Sequence, residues 1–151
     1  MKFHIIILII VTFIPLKVFS QNPDRRMILK VAQDYVNAMY EADAGKMDQC
    51  LYNHFIKNGF YWKSSQENYS EITSITREQL IQIAKDWNKD QWVPEDAPEE
   101  VEILDLQEKI AMVKLTAFWG VEYLQLSKTG EQWLIVQILS QNWPRKETQE
   151  E

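Results

Sequence analysis

A single cysteine, Cys50, among 151 residues excludes an internal disulfide and any cysteine-based metal site. Histidine is almost as scarce: His4 lies in the N-terminal apolar stretch and His54 is the other, which excludes a histidine-rich zinc centre. With four glycines the chain has no G-x-x-x-x-G-K phosphate loop and no G-x-G-x-x-G turn, and H-E-x-x-H and G-x-S-x-G are absent too. No motif calls for a cofactor or a metal. Positive charge is also short, with 16 Lys and Arg against 22 Asp and Glu and a net charge of −6, a poor balance for nucleic-acid binding. Internal repeats and low-complexity tracts are missing. Stability therefore rests on an apolar core, and six Trp, six Tyr and six Phe suffice for one domain.

The first twenty residues read as a secretory signal peptide. Lys2 precedes the apolar run Ile5–Val11, Phe13-Ile14 extends it, and Val18-Phe19-Ser20 offers acceptable positions for cleavage before Gln21. That run is shorter than the ~20 residues of a spanning helix, and Pro15 interrupts it. Cleavage would remove Lys2 and Lys17, taking the net charge from −6 to −8 and leaving 131 residues. The expected product is a periplasmic or secreted domain over residues 21–144, off the membrane once cleaved, with a polar tail at 145–151.

Local signals give an order of elements. Asn22-Pro23-Asp24 is a helix start, with Asn as cap, Pro at the first position and Asp at the positive end of the dipole. Ile28, Val31, Ala32, Tyr35, Val36, Met39 and Tyr40 then recur at helical spacing. Asp43 suits the cap of a second, short helix through Met47 and Leu51. A short strand is expected over Ile56–Trp62, a polar loop over residues 63–74, and a third helix from the capping box Thr76-Arg77-Glu78-Gln79. Beyond a loop with Pro94 and Pro98, the runs Val101–Gln107, Ile110–Phe118, Val121–Ser127 and Gln132–Asn142 alternate as strands. The plan is α+β, with helices laid on one face of an antiparallel sheet.

The turns set an expected register. With Trp119-Gly120 and Thr129-Gly130 as turn residues, Glu122 faces Ala117 on one side and Gln137 on the other. The core face then holds Val113, Leu115, Ala117, Leu124, Leu126, Trp133, Ile135 and Leu139, with Glu122 and Gln137 as a polar pair inside it. Val121, Tyr123, Leu134, Val136 and Ile138 fall on the outer face. Left bare, they would form an apolar patch, so a homodimer through that face is expected.

Tyr35-Val36-Asn37-Ala38-Met39-Tyr40-Glu41-Ala42-Asp43, His54, Ile75-Thr76-Arg77-Glu78-Gln79-Leu80, Ile110–Leu115, Glu122–Leu126 and Trp133–Val136 occur in an order that resembles the Putative lumazine-binding family of the nuclear transport factor 2-like superfamily. The resemblance runs from about Pro23 to Trp143. It implies a cone-shaped α+β fold, a curved sheet wrapped over helices with a cavity at its open end, commonly dimeric through the sheet. Glu122 stands where the family pattern often has Asp, so its carboxylate reaches one methylene further.

The candidate site residues are Tyr35, Tyr40, Asp43, His54, Trp119, Glu122 and Gln137. Glu122, Asp43 and His54 are the candidates for acid–base chemistry, for which a carboxylate on a buried sheet face is suited. Two functions from different classes stand open: a binding domain in which a flat ring stacks on Trp or Tyr, or a pocket enzyme of isomerase or dehydratase type. A third is a structural or interaction module. A single histidine without a recognisable catalytic spacing tips the balance toward binding.

Overall fold

The computed structural model describes residues 22–144. The expected signal peptide and polar tail lie outside them. Helix α1 (Pro23–Tyr40) is capped by the Asn22 side chain, which accepts from the Asp24 amide at 2.9 Å. Helix α2 (Ala44–Cys50) is capped by Asp43, and α3 (Arg77–Trp87) opens on the reciprocal Thr76/Gln79 box. All three starts sit where the sequence puts them.

The strands are β1 (Leu51–Phe60), β2 (Trp62–Lys63), β3 (Asn68–Tyr69), β4 (Thr73–Thr76), β5 (Glu99–Leu106), β6 (Ile110–Ala117), β7 (Gly120–Thr129) and β8 (Gln132–Asn142). Six of them form one sheet in the order β4-β1-β8-β7-β6-β5, while β2 and β3 make a separate small hairpin. The sheet is mixed rather than purely antiparallel, because β1 returns parallel to β8. β1 starts five residues before the expected Ile56, and the supposed loop at 63–74 includes β3 and the start of the edge strand β4.

Helix α1 packs on β5, β6 and β8, and its Ile28, Ala32, Tyr35, Val36 and Met39 are buried against Leu115, Leu124, Leu126 and Ile135. Each large apolar side chain enclosed this way contributes about 1.5–3 kcal/mol. Asp24 at the start of α1 fastens the helix to the far end of the sheet, accepting from Lys128 Nζ at 2.8 Å and Trp133 Nε1 at 3.0 Å.

Two corrections to the register matter for the site. The first hairpin turns on Phe118-Trp119, so Glu122 pairs with Leu115 rather than Ala117. Gly120 is spent inside the strand, where a Cβ would run into the Gln141 and Asn142 backbone of β8. The shift is by two, so the inward set on β6 and β7 is unchanged. The second turn is Gly130-Glu131, with Gly130 at φ +61°, and beyond it the register slips between Leu126↔Ile135 and Gln125↔Gln137. The extra residue, Val136, flips the alternation of the rest of β8. Ile138 and Ser140 therefore turn into the core, while Leu139 turns out and is 46% exposed. Gln137 registers beside the exposed Gln125, and Glu122 faces Ser140 instead.

Candidate functional site

Glu122 is fully buried, and the partner that accounts for it is Lys57. Alternation along β1 points Phe55, Lys57 and Gly59 inward together. Lys57 registers with Ile138 and Gly59 with Ser140, so the lysine side chain crosses β8 diagonally over two small residues to reach Glu122 on β7. A Cβ at Gly59 would collide with the Ser140 hydroxyl, which keeps this crossing narrow.

The pair has a shell of its own. Lys57 Nζ also donates to the Tyr35 hydroxyl at 3.3 Å, and Trp119 Nε1 donates to Glu122 Oε1 at 2.8 Å. The lysine ammonium lies 6.0 Å from the Trp119 ring centroid, within cation–π range. Burial pushes the Tyr35 phenol well above its ordinary range, and the neighbouring Glu122 carboxylate raises it further. Tyr61 is raised chiefly by burial as well. Glu122 Oε2, Tyr61 OH and Ser140 Oγ are buried without a hydrogen-bond partner among the described residues.

Trp119 links this buried cluster to the surface. Its ring meets Tyr35 edge-on at 6.5 Å, Tyr40 at 5.6 Å and Trp87 at 5.2 Å, while Trp92 packs on Trp87 at 4.7 Å. Tyr40 is fixed in turn by donating to the Pro98 carbonyl at 2.6 Å and accepting from the Phe118 amide at 2.9 Å. Asn88 ties the loop after α3 to this group, donating to the Tyr40 carbonyl at 2.5 Å and accepting from the Val93 amide at 3.0 Å. On the solvent side of Trp119 opens a mouth of about 210 Å³ lined by Trp62, Ser64, Trp87, Trp119, Asn142 and Trp143.

Four of the seven candidate residues are thus contiguous: Glu122, Trp119, Tyr35 and Tyr40. The other three lie apart from them. Asp43 accepts from the Lys46 amide at 2.9 Å as the cap of α2. His54 is exposed on the irregular part of β1, where the register breaks between Leu51 and Ile56, and its ring meets Tyr52. Gln137 is set on the other side of the sheet by the bulge. Sequence reasoning missed Lys57, Trp62, Trp87 and Trp143. A lysine at an inward position of one strand and a glutamate at an inward position of another was the available signal for Lys57.

Comparison with known proteins now fits this geometry. The sequence profile described as Putative lumazine-binding matches residues 23–139. The chain belongs to the Putative lumazine-binding family. Solved structures share the family's fold. A nuclear transport factor 2-like protein of unknown function from Silicibacter pomeroyi superposes with a TM-score of 0.59 at 15% identity, covering 80% of this chain and 96% of that one. A ketosteroid isomerase-like protein from Erwinia carotovora atroseptica gives 0.56 at 14%, covering 82% and 99%. One with a cystatin-like fold from Nostoc punctiforme gives 0.54 at 13%, covering 82% and 94%. At such identities the likeness carries the fold alone. No curated protein matches the chain at a significant level.

Proposed function

We propose that this chain is an exported small-molecule-binding domain that takes a planar, heterocyclic group into the tryptophan-lined mouth. The observation that carries the reading is the indole lining of the mouth: Trp62, Trp87 and the 41% exposed Trp143 border it, and the buried Trp119 behind them is held through its N–H by Glu122. A rigid indole offers a ring ligand a large stacking surface at little entropic cost. The family description, lumazine binding, agrees with a flat heterocycle.

The same geometry weighs against the isomerase or dehydratase reading. A general base needs a free carboxylate within reach of substrate, and Glu122 is enclosed by Lys57 and Trp119. Asp43 is occupied as a helix cap and His54 stands away from the mouth.

Two further parts of the proposal are export and assembly. Export rests on the N-terminal apolar pattern, and the mature chain should begin near Gln21 by N-terminal mass analysis. No helix among the described residues is long and apolar enough to cross a membrane. Assembly as a homodimer is supported by the outer sheet face, where Tyr123 and Leu139 pair across β7 and β8 and are 43% and 46% exposed. Phe60 and Trp143 border the same hollow of about 340 Å³.

The binding reading is tested by titrating the protein with lumazine and following tryptophan fluorescence. Saturable quenching is expected, weakened about tenfold by Trp143→Ala if that ring contributes around 1.4 kcal/mol of stacking. A panel of flat heterocycles that produces no saturable quenching would sink the reading.

A further inference from the structure

The peptide unit between Asn142 and Trp143 is held from both ends. Its N–H donates to the Trp119 carbonyl at 3.0 Å, and its C=O accepts from the Tyr69 hydroxyl at 3.1 Å. Asn142, Trp143 and Trp119 all line the mouth, whereas Tyr69 does not. Asn142 is also fixed against β7, because it registers with Gly120, where a Cβ would lie 2.7 Å from the Asn142 Cα. A peptide bonded at both its N–H and its C=O is polarised so that each bond strengthens the other.

Tyr69 ties a separate unit to that fixed point. Residues 61–70 form the β2–β3 hairpin, in which Trp62 pairs with Tyr69 and Lys63 with Asn68. Its neck is closed by the Tyr61 amide, which donates to Ser70 Oγ at 3.0 Å, and by the Ser70 amide, which donates to the Tyr61 carbonyl at 2.8 Å. The tip turns through Ser64–Gln66 and the left-handed Glu67 at φ +46°. Strands this short do not hold a position by their own pairing, and the hairpin is no part of the six-stranded sheet. Yet it supplies Trp62 and Ser64 to the mouth. Where that wall stands depends on what fastens the hairpin to the body.

Tyr69 does so with both parts of its side chain. Its ring meets Trp62 edge-on, with centroids 5.2 Å apart and planes at 77°, an arrangement that aromatic pairs favour. Its hydroxyl, besides donating to Asn142, accepts from Gln141 Nε2 at 3.1 Å. We propose that Tyr69 is a positioning residue for the ligand site, setting the Trp62 wall against the Trp119 and Trp143 wall without touching the ligand. The proposal rests on the reading of the mouth as the ligand site and deepens it. Such support matters because a site left loose by ~1 Å loses much of its function.

The test compares wild type with Tyr69→Phe, which deletes the hydroxyl and keeps the ring against Trp62. In the ligand-free protein the ¹⁵N–{¹H} NOE of the Trp62 indole should fall in the variant, while that of Trp133, tied to Asp24 near the start of β8, holds. In stopped-flow titration the variant should bind lumazine about fivefold more weakly, the size of one hydrogen bond, with the loss in the dissociation rate. Gln141→Leu, which removes one donor to the hydroxyl and leaves the bond to Asn142, should fall between the two. An unchanged Trp62 NOE, or lumazine held as tightly and as long by Tyr69→Phe as by wild type, would overturn the proposal. If wild type takes up no lumazine but the Trp62 NOE falls in the variant, the heterocycle reading alone is lost and Tyr69 is still the residue that holds the Trp62 wall.

Discussion

Lys57 on β1 and Glu122 on β7 form an ion pair across the intervening strand β8, with side-chain exposures of 7% and 0%. Two strand spacings of roughly 4.8 Å separate their backbones, a gap that neither side chain spans alone and that the extended lysine and the glutamate close by meeting over β8. Removing both charges from water is expensive, and their mutual attraction with the Tyr35 and Trp119 hydrogen bonds offsets that cost. The consequence is positional. Trp119, the inner wall of the mouth, has its ring orientation set by a charge it shares with Lys57.

Lys57→Met should therefore destabilise the domain by about 3–5 kcal/mol, because it leaves the Glu122 carboxylate buried without its cation. Adding Glu122→Leu should recover most of the loss. Urea unfolding of the two single variants and the double variant checks this. A double variant no more stable than Lys57→Met alone would show that the pair is not the source of the cost.

The Asp24 tether gives stability with two pH limits. Hydrogen bonding from Lys128 holds the Asp24 carboxyl below its ordinary 3.8, so its contribution is present above that value and is lost as pH falls through the lower folded one. Asp24 raises Lys128 above 10.5, so that share is present below 10.5 and disappears as pH rises through the folded value. Melting temperature against pH should separate wild type from Asp24→Asn at neutral pH, with the gap closing toward pH 2. A gap that stays constant down to pH 2 would contradict the linkage.

Cys50 should be inert in the native protein. Burial pushes its thiol up to about 12, and its Sγ donates to the Lys46 carbonyl at 3.2 Å. A disulfide reagent at pH 8 should modify nothing until guanidinium is added, after which one thiol per chain reacts. Rapid modification without denaturant would contradict this burial.

For the dimer, light scattering at micromolar concentration should give twice the chain mass, and Leu139→Lys should give the monomer with its melting curve intact. Leu139 points outward and is 46% exposed in the single chain, so a lysine there costs little to fold. A monomeric wild type would rule out the assembly.

Much of the fold is legible because its signals are local. Asn22-Pro23, Asp43 and the Thr76/Gln79 box mark helix starts by chemistry that needs no tertiary context. Alternation likewise places Val113, Leu115, Leu124 and Leu126 in the core. The bulge at Val136 is not legible, since Gln132–Asn142 reads as one unbroken alternation that sets Gln137 opposite Glu122. Tertiary fit decides it instead: the bulge brings Ile138 under the helices and small Ser140 beneath the lysine crossing. The mouth escapes sequence reasoning for a similar reason. Trp62, Trp87, Trp119 and Trp143 come from four separated segments, and only the return of β1 beside β8 and the docking of α3 bring them together.

The most direct test of the central claim is an indole ¹⁵N–¹H NMR titration with lumazine, since the chain has six tryptophans and so six reporter signals. Trp133 is the internal control, because it is tied to Asp24 at the opposite end of β8, roughly 30 Å of strand from Trp143. The expected result is saturable shifts at Trp62, Trp87, Trp119 and Trp143 with Trp133 unmoved. Shifts confined to Trp133, or uniform small shifts at all six signals, would contradict a ligand site built on Trp119.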